Sequence, residues 1–243
     1  MTTNEYTVAL AGNPNTGKST LFNVLTGLSQ HTGNWPGKTV VYAEGFFTYN
    51  HNRYKMVDLP GTYSLYSNSA DEEVARNFII FGKPDVTIVV LDATALERNL
   101  NLALQVLEMT SSVIVCLNLM DEAKKKGIRI DAGKLAEKLG VPVVPISARN
   151  KEGIDALLKT IDAMVCGKIK TKPIVVRYSP EIEQCMEKLI PRVKEVIGDA
   201  YPARWVALRL LDGDMSLLHA FYKLFPSKKE ATVYACDGSA KSI

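Results

Sequence analysis

The sequence predicts an α/β body with a six-stranded, mainly parallel sheet, followed by a small helical domain. Three observations predict it: short apolar runs rich in β-branched residues alternate with longer helical patterns up to residue 167, a Gly-rich loop joins the first run to the first helical stretch, and beyond residue 167 the pattern turns helical. The 243 residues suffice for a mid-sized domain with a smaller companion. With 47% hydrophobic and 23% charged residues, and only 16 Gly and 11 Pro, the chain is globular rather than disordered or collagen-like.

The spacing predicts strands over 7–11, 55–57, 86–91, 113–117 and 141–145, separated by helical stretches that make βαβ units. Residues 40–49 carry Val40, Tyr42, Phe46, Phe47 and Tyr49 and meet the 55–57 run through His51 and Asn52, which predicts an antiparallel hairpin at the sheet edge. Between the first helix and this hairpin, 31–39 is polar with Gly and Pro and is expected to be a loop. A helix over 155–165 shares an apolar face through Leu157, Leu158 and Ile161. The Gly and Lys-rich connector after it sets the expected domains at 1–167 and 168–243. In the second, 174–178 is extended, and Ile182, Met186, Leu189, Val193 and Val196 define a helix that Pro191 is expected to kink or split. Helices over 206–211 and 217–225 complete it.

Lys and Arg outnumber Asp and Glu by 29 to 26, and a net charge of +3 is too small to demand a polyanionic partner, so no nucleic acid is expected. Cys116, Cys166, Cys185 and Cys236 lie far apart without a C-x-x-C pair, and no leader is expected before the first apolar run, which together read as reduced thiols in a cytoplasmic compartment. No apolar run approaches the roughly 20 residues of a membrane-spanning helix. Lys124 to Lys126 and Lys228 to Lys229 read as solvated surface, Cys116 as core, and His31, His51 and His219 show no metal-ligand spacing.

Gly12 to Ser19 reads GNPNTGKS and matches G-x-x-x-x-G-K-[ST], directly after a strand and before a helix predicted over 18–25. Average residue usage yields this pattern in about one chain in a hundred before that context is counted. Gly12 and Gly17 let the backbone wrap phosphate oxygens, so Asn13, Asn15, Thr16, Gly17, Lys18, Ser19 and Thr20 are candidate nucleotide contacts at a helix N-terminus. Lys18 would reach the β- and γ-phosphates, and Ser19 would offer a hydroxyl to Mg²⁺. Asp58-Leu59-Pro60-Gly61 ends the next strand, where Asp58 can hold Mg²⁺ through water and Gly61 can turn its amide to a γ-phosphate. Thr39 is the candidate for the second Mg²⁺ hydroxyl, ahead of Thr32, because it adjoins the strand. Lys18, Thr39 and Gly61 are the candidate catalytic set.

Asn118 and Asp121 follow the 113–117 strand at its carboxyl end, where open α/β sheets bind ligands. One carboxylate there accepts from both the ring N–H and the exocyclic amino group of guanine, a donor pair that adenine lacks. Ser147 and Ala148 follow the next strand, the Ala148 amide facing the guanine carbonyl, although Ser147 equally suits the cap of a following helix. The expected ligands are GTP and GDP on a P-loop GTPase fold.

GNPNTGKSTLFN, GNWPGKTV, DLPGTYSL and NLMDEA together resemble the cytosolic N-terminal domain of the bacterial ferrous iron transport protein B family. The resemblance covers residues 1–167, and a helical domain behind them also fits. It implies a slow GTPase that serves as nucleotide switch for iron uptake, on the cytoplasmic side of the inner membrane. It implies too a partner, the membrane-spanning permease part of the same protein, absent from this chain. A homo-oligomer is compatible with the sequence.

The general GTPase base motif has Lys where Leu119 stands, which predicts weaker binding and faster exchange; members of the family also carry an uncharged residue there. Thr62 stands where regulated GTPases often place a water-orienting glutamine, which predicts slow hydrolysis. The resemblance implies that Asn15 helps hold K⁺ beside the phosphates, while a plain loop-capping role is equally open. Trp35 could cover the nucleotide, meet a partner, or pack against the sheet edge. The alternative function is an RNA-associated GTPase of ribosome assembly or tRNA modification, which would usually carry a G-x-x-G loop or basic face not found in 168–243.

Overall fold

The computed structural model describes residues 4–27, 30–35, 38–66 and 69–224, and the chain divides into two units, 1–174 and 175–243. In the first unit, strands β1 (Glu5–Gly12), β2 (Gln30–Asn34), β3 (Val41–Tyr49), β4 (Asn52–Asp58), β5 (Val86–Asp92), β6 (Val113–Asn118) and β7 (Val143–Pro145) form one sheet in the order β2-β3-β4-β1-β5-β6-β7. The ladders from β4 to β7 are parallel, and β2 and β3 pair antiparallel at one edge. The sheet therefore has seven strands where the sequence predicts six. The extra one is Gln30–Asn34, inside the expected polar loop; its residues lack apolar alternation, and the open edge of β3 supplies the pairing, Thr32 opposite Ala43.

Central strands of a parallel sheet are covered on both faces, and β1, β5 and β6 are buried at almost every position. Helices α1 (Lys18–Thr26) and, later in the chain, the helix Ile154–Val165 cover one face, where Leu21, Phe22, Leu157 and Ile161 pack with Val8, Leu10, Ile88, Val90 and Ile114. In between come α2 (Ala70–Asn77), a π-helical turn Phe78–Gly82, α3 (Leu96–Met109), α4 (Met120–Lys125) and α5 (Ala132–Leu139), so that Ile154–Val165 is α6. α3 buries Leu102, Ala103 and Val106 outside that cluster.

The hairpin turns at Asn50 and His51, both with positive φ (47° and 65°), the backbone that two-residue β-turns require. Asn50, Asn52 and Tyr54 all donate to the carboxylate of Asp162 on α6, at 3.1, 3.3 and 2.7 Å. Burial works to raise the Asp162 carboxyl, but the hydrogen bonds from Asn50, Tyr54 and Asn52 hold it below the ordinary carboxylate range. This clasp fixes the hairpin at the end of the sheet away from the Gly-rich loop.

The division falls after Ile174, not at 167. The connector is tied to the first unit, with the amides of Lys172 and Ile174 donating to Gly140 and Leu139 carbonyls and the Thr171 hydroxyl to Ser111. The second unit holds α7 (Pro180–Ile197), α8 (Ala203–Leu211) and α9 (Met215–Leu224). Pro191 does not split α7; the helix is continuous around it, with Met186, Leu189, Val193 and Ile197 buried. Residues 174–178 form no strand, and Phe225, Lys228, Lys229 and Cys236 lie outside the described residues.

Glu183 accepts both guanidinium nitrogens of Arg204 at 2.7 and 2.9 Å and the Tyr178 amide at 2.9 Å, which lowers its pKa to about 2. A folded pKa depressed in this way stabilises above the unfolded value of about 4.3 and is lost as pH falls toward 2. Glu183→Gln is therefore expected to lower the melting temperature at pH 6 to 7, with the gap to wild type narrowing as pH falls from about 5 toward 2. Thermal unfolding across that range checks it, and a gap independent of pH would contradict it.

Candidate functional site

Four loops meet at the carboxyl edge of the sheet, each a continuation of a parallel strand: 12–17 after β1, 58–66 after β4, 118–121 after β6 and 145–153 after the edge strand β7. Asn13, Pro14, Asn15, Gly17, Lys18, Ser19, Thr20 and Gly61 line a pocket of about 250 Å³ there. The loop reaches α1 through Asn15 (φ 66°) and Gly17 (φ 80°), and a Cβ at Gly17 would collide with the Asn118 carboxamide. Ser19 and Thr20 are exposed in the first turn of α1, while Thr16 is buried and its hydroxyl donates to the Asn13 carbonyl at 3.0 Å.

Lys18 is nearly buried and turns toward β4, donating to the Asp58 carboxylate and, at 2.6 Å, to the Leu59 carbonyl. Burial pushes the Asp58 carboxyl above its ordinary value, and the Lys18 ammonium opposes that rise. The ion pair joins two motifs forty residues apart. Gly61 packs against Pro14, a Cβ on it lying 3.5 Å from the Pro14 backbone. The loop behind it is anchored by α3, where buried Gln105 accepts the Leu65 amide at 2.7 Å and Arg98 stacks on Tyr63 at 4.5 Å. Thr62 is buried. Sequence reasoning missed Gln105, although a polar residue among Leu102, Val106 and Met109 on the core face of a helix was the available signal.

At the base end, Asn118 is 1% exposed and makes no outward contact: its Nδ2 donates to the Thr16 carbonyl at 2.8 Å, and its Oδ1 accepts the Ala148 amide at 3.0 Å. The Ala148 N–H, expected to face a base, is thus turned to Asn118. Asp121 stands part-exposed in the first turn of α4, and Ser147 donates to it at 2.9 Å, holding its carboxyl below the ordinary range. Ser147 caps no helix; α6 starts at Ile154 behind Gly153, and Ser147 instead pairs with Glu152 to close the loop. Leu119 is left-handed (φ 62°), so the chain turns sharply between Asn118 and Asp121.

Thr32 and Thr39 are both exposed and neither lines the pocket; Thr32 sits in β2 and Thr39 in the bend before β3. Trp35 packs on Tyr42 and Phe78, with ring centroids 5.2 and 5.4 Å away, rather than over the pocket, and next to it Lys38 pairs with Glu73 of α2 at 2.7 Å. Cys116 is fully buried, Cys166 and Cys185 are exposed free thiols, and no His, Cys, Asp and Glu cluster among the described residues could hold a metal.

A profile described as ferrous iron transport protein B matches residues 6–161, and one described as its cytosolic helical domain matches 178–233. The chain belongs to the ferrous iron transport protein B family. It is 41% identical over 216 residues to the Fe(2+) transporter FeoB of Escherichia coli K12 and to that of Shigella flexneri, covering 86% of this chain and 27% of each relative. The chain thus spans about a quarter of the length of these curated relatives. The cytosolic domain of the Thermotoga maritima FeoB iron transporter in a GDP form is similar in structure (TM-score 0.83, 38% identity, 92% of this chain and 87% of that one). The FeoB G domain of Methanococcus jannaschii matches 67% of this chain and 99% of its own at 52% identity, with a TM-score of 0.60. Family membership thus gives no support to the RNA-associated alternative, and among the described residues no helix is long and apolar enough to cross a membrane.

The Asn118 geometry carries a consequence for stability independent of any ligand. Asn118→Ala would leave the buried Thr16 carbonyl and Ala148 amide unpaired and is expected to cost about 2–5 kcal/mol. Denaturant unfolding without nucleotide checks this; a loss below about 1 kcal/mol would mean that both groups find other partners.

Proposed function

We propose that this chain binds GTP, hydrolyses it slowly, and acts as the nucleotide-dependent cytosolic part of a ferrous iron transporter in a bacterial inner membrane. The observation that carries the proposal is the convergence, at one sheet edge, of the GNPNTGKS pocket, the Asp58–Gly61 loop and the Asp121 carboxylate in a chain of this family. Two of the three Lys18 donors serve Asp58 and Leu59, and the third is available to a phosphate. The N-terminus of α1 and the amides of 13–20 supply the rest of the positive field. The pocket suits a phosphate chain, so the base extends to Asp121, whose depressed pKa keeps it an acceptor at neutral pH.

The donors around the pocket fit a hard cation: the exposed Ser19 hydroxyl, the Asp58 carboxylate behind Lys18, and no soft ligand among the lining residues. Ser19, with Thr39 carried in by its loop and Asp58 through water, would hold Mg²⁺, and Asn15 would hold K⁺. When bound, these ions neutralise charge developing on the phosphates. Thr62 is short and buried, so the attacking water is held by backbone groups around Thr39 and Gly61, and turnover is slow. Membership of the family makes the ferrous ion the cargo of the whole transporter.

Asp121→Asn exchanges the acceptor for a donor, so the variant is expected to lose GTP affinity by at least about a hundredfold and gain affinity for xanthosine triphosphate. Titration with fluorescent nucleotides reads both, and unchanged GTP affinity would remove Asp121 from the site. For the monovalent ion, phosphate release in matched potassium and sodium buffers is expected to be faster in potassium for wild type and equal in both for Asn15→Ala. Equal wild-type rates would reject the potassium assignment.

A further inference from the structure

The Asn13 side chain is 2% exposed, and neither its Oδ1 nor its Nδ2 has a hydrogen-bond partner among the described residues. Bulk water does not reach either atom. A buried carboxamide left in this way costs on the order of 1–3 kcal/mol per group, and folds keep such groups where something else pairs with them. Asn13 lines the pocket together with Gly61, in the loop that precedes α1. Asn13 directly follows the end of β1 and precedes Pro14, against which Gly61 lies.

The pattern of unmet groups narrows the partner. A phosphate would take only the Nδ2 donors and would leave Oδ1 facing an anion, whereas a peptide segment offers a carbonyl and an N–H together. Such a segment is adjacent: Gly61 lies against Pro14, the neighbour of Asn13. Its loop is anchored at Leu59, whose amide donates to the Leu10 carbonyl and whose carbonyl accepts from Lys18, and again at Leu65 by Gln105, which leaves 60–62 between the two anchors. We propose that Asn13 is a positioning residue for the triphosphate-bound arrangement, its carboxamide pairing with the backbone of 60–62 when that loop closes on a γ-phosphate. The inference rests on the nucleotide function proposed above. It makes Asn13 a determinant of the preference for GTP over GDP, since only the triphosphate draws the loop in.

The test uses wild type, Asn13→Ala and Asn13→Asp, with fluorescent GDP and a non-hydrolysable GTP analogue. For Asn13→Ala, analogue affinity is expected to fall about tenfold further than GDP affinity. Without nucleotide its melting temperature is expected to be equal to or above that of wild type, because an unpaired polar group has been removed. Asn13→Asp, which keeps an acceptor but adds a negative charge beside the phosphates, is expected to weaken GDP and analogue binding alike; loss of both in Asn13→Ala, which adds no charge, would instead place a phosphate directly on Asn13 and overturn the proposal. Amide exchange of 59–66 is expected to slow with the analogue in wild type and not in Asn13→Ala. An unchanged analogue-to-GDP ratio with a lowered melting temperature would make Asn13 a structural carboxamide and also overturn it. Failure of wild type to bind any guanine nucleotide would instead fall on the proposed function and would appear in the first titration.

Discussion

One carboxamide holds the upper edge of the sheet together. Asn118 emerges from the end of β6 and ties the phosphate loop, through Thr16, to the loop after β7, through Ala148. The three segments lie 102 and 30 residues apart in sequence, so no local propensity aligns them; a buried residue with both donor and acceptor does. Gly17 belongs to the same constraint, since a side chain there would occupy the space of Asn118. The Lys18 to Asp58 pair does for β1 and β4 what Asn118 does for β1 and β6. Motifs that look like separate ligand contacts in the sequence are also contacts with one another.

The other end of the sheet is closed by a different charge. Asp162 gathers Asn50, Asn52 and Tyr54, which stops the β3–β4 hairpin from swinging on its two-residue turn. β4 is thus fixed at its start by α6 and ends in the loop that carries Asp58 and Gly61. The segments near the pocket that lie beyond these anchors are 60–64 and the stretch around Thr39, which Lys38 and Trp35 attach to α2 and the turn at Phe78 by one exposed ion pair and ring contacts. Exposed pairs of this kind are worth at most about 1 kcal/mol, weak enough for a ligand to outcompete.

What the sequence made legible was what local chemistry dictates. The phosphate loop, the ends of β4 and β6, and the α1 start are backbone requirements written into Gly, Lys and Asp spacing, and the structure brings their residues to one edge. β2 was not legible, because Gln30 to Asn34 has no strand pattern of its own and forms by pairing with β3. Pro191 misled in the opposite sense. Its missing N–H costs a helix about 3 kcal/mol, but four buried side chains on one face of α7 outweigh that. The connector belonged to the first unit for a similar reason, since backbone bonds to 139–140 decide its place and composition does not.

Two asparagines in the same fold show how hydrogen bonding, at equal burial, distinguishes framework from switch. Asn118 and Asn13 are about equally hidden, at 1% and 2% exposure, and both follow a central strand. Asn118 has every heavy polar atom engaged, so removing it breaks the fold whatever is bound. Asn13 has neither engaged, so folding gains nothing from its polarity and bears the cost of its desolvation. Under the proposed closure, a group that weakens the resting fold contributes its energy only when the neighbouring 60–62 backbone pairs with it. That difference in free energy between two states of one loop is what a nucleotide switch requires, and a fully satisfied core could not supply it.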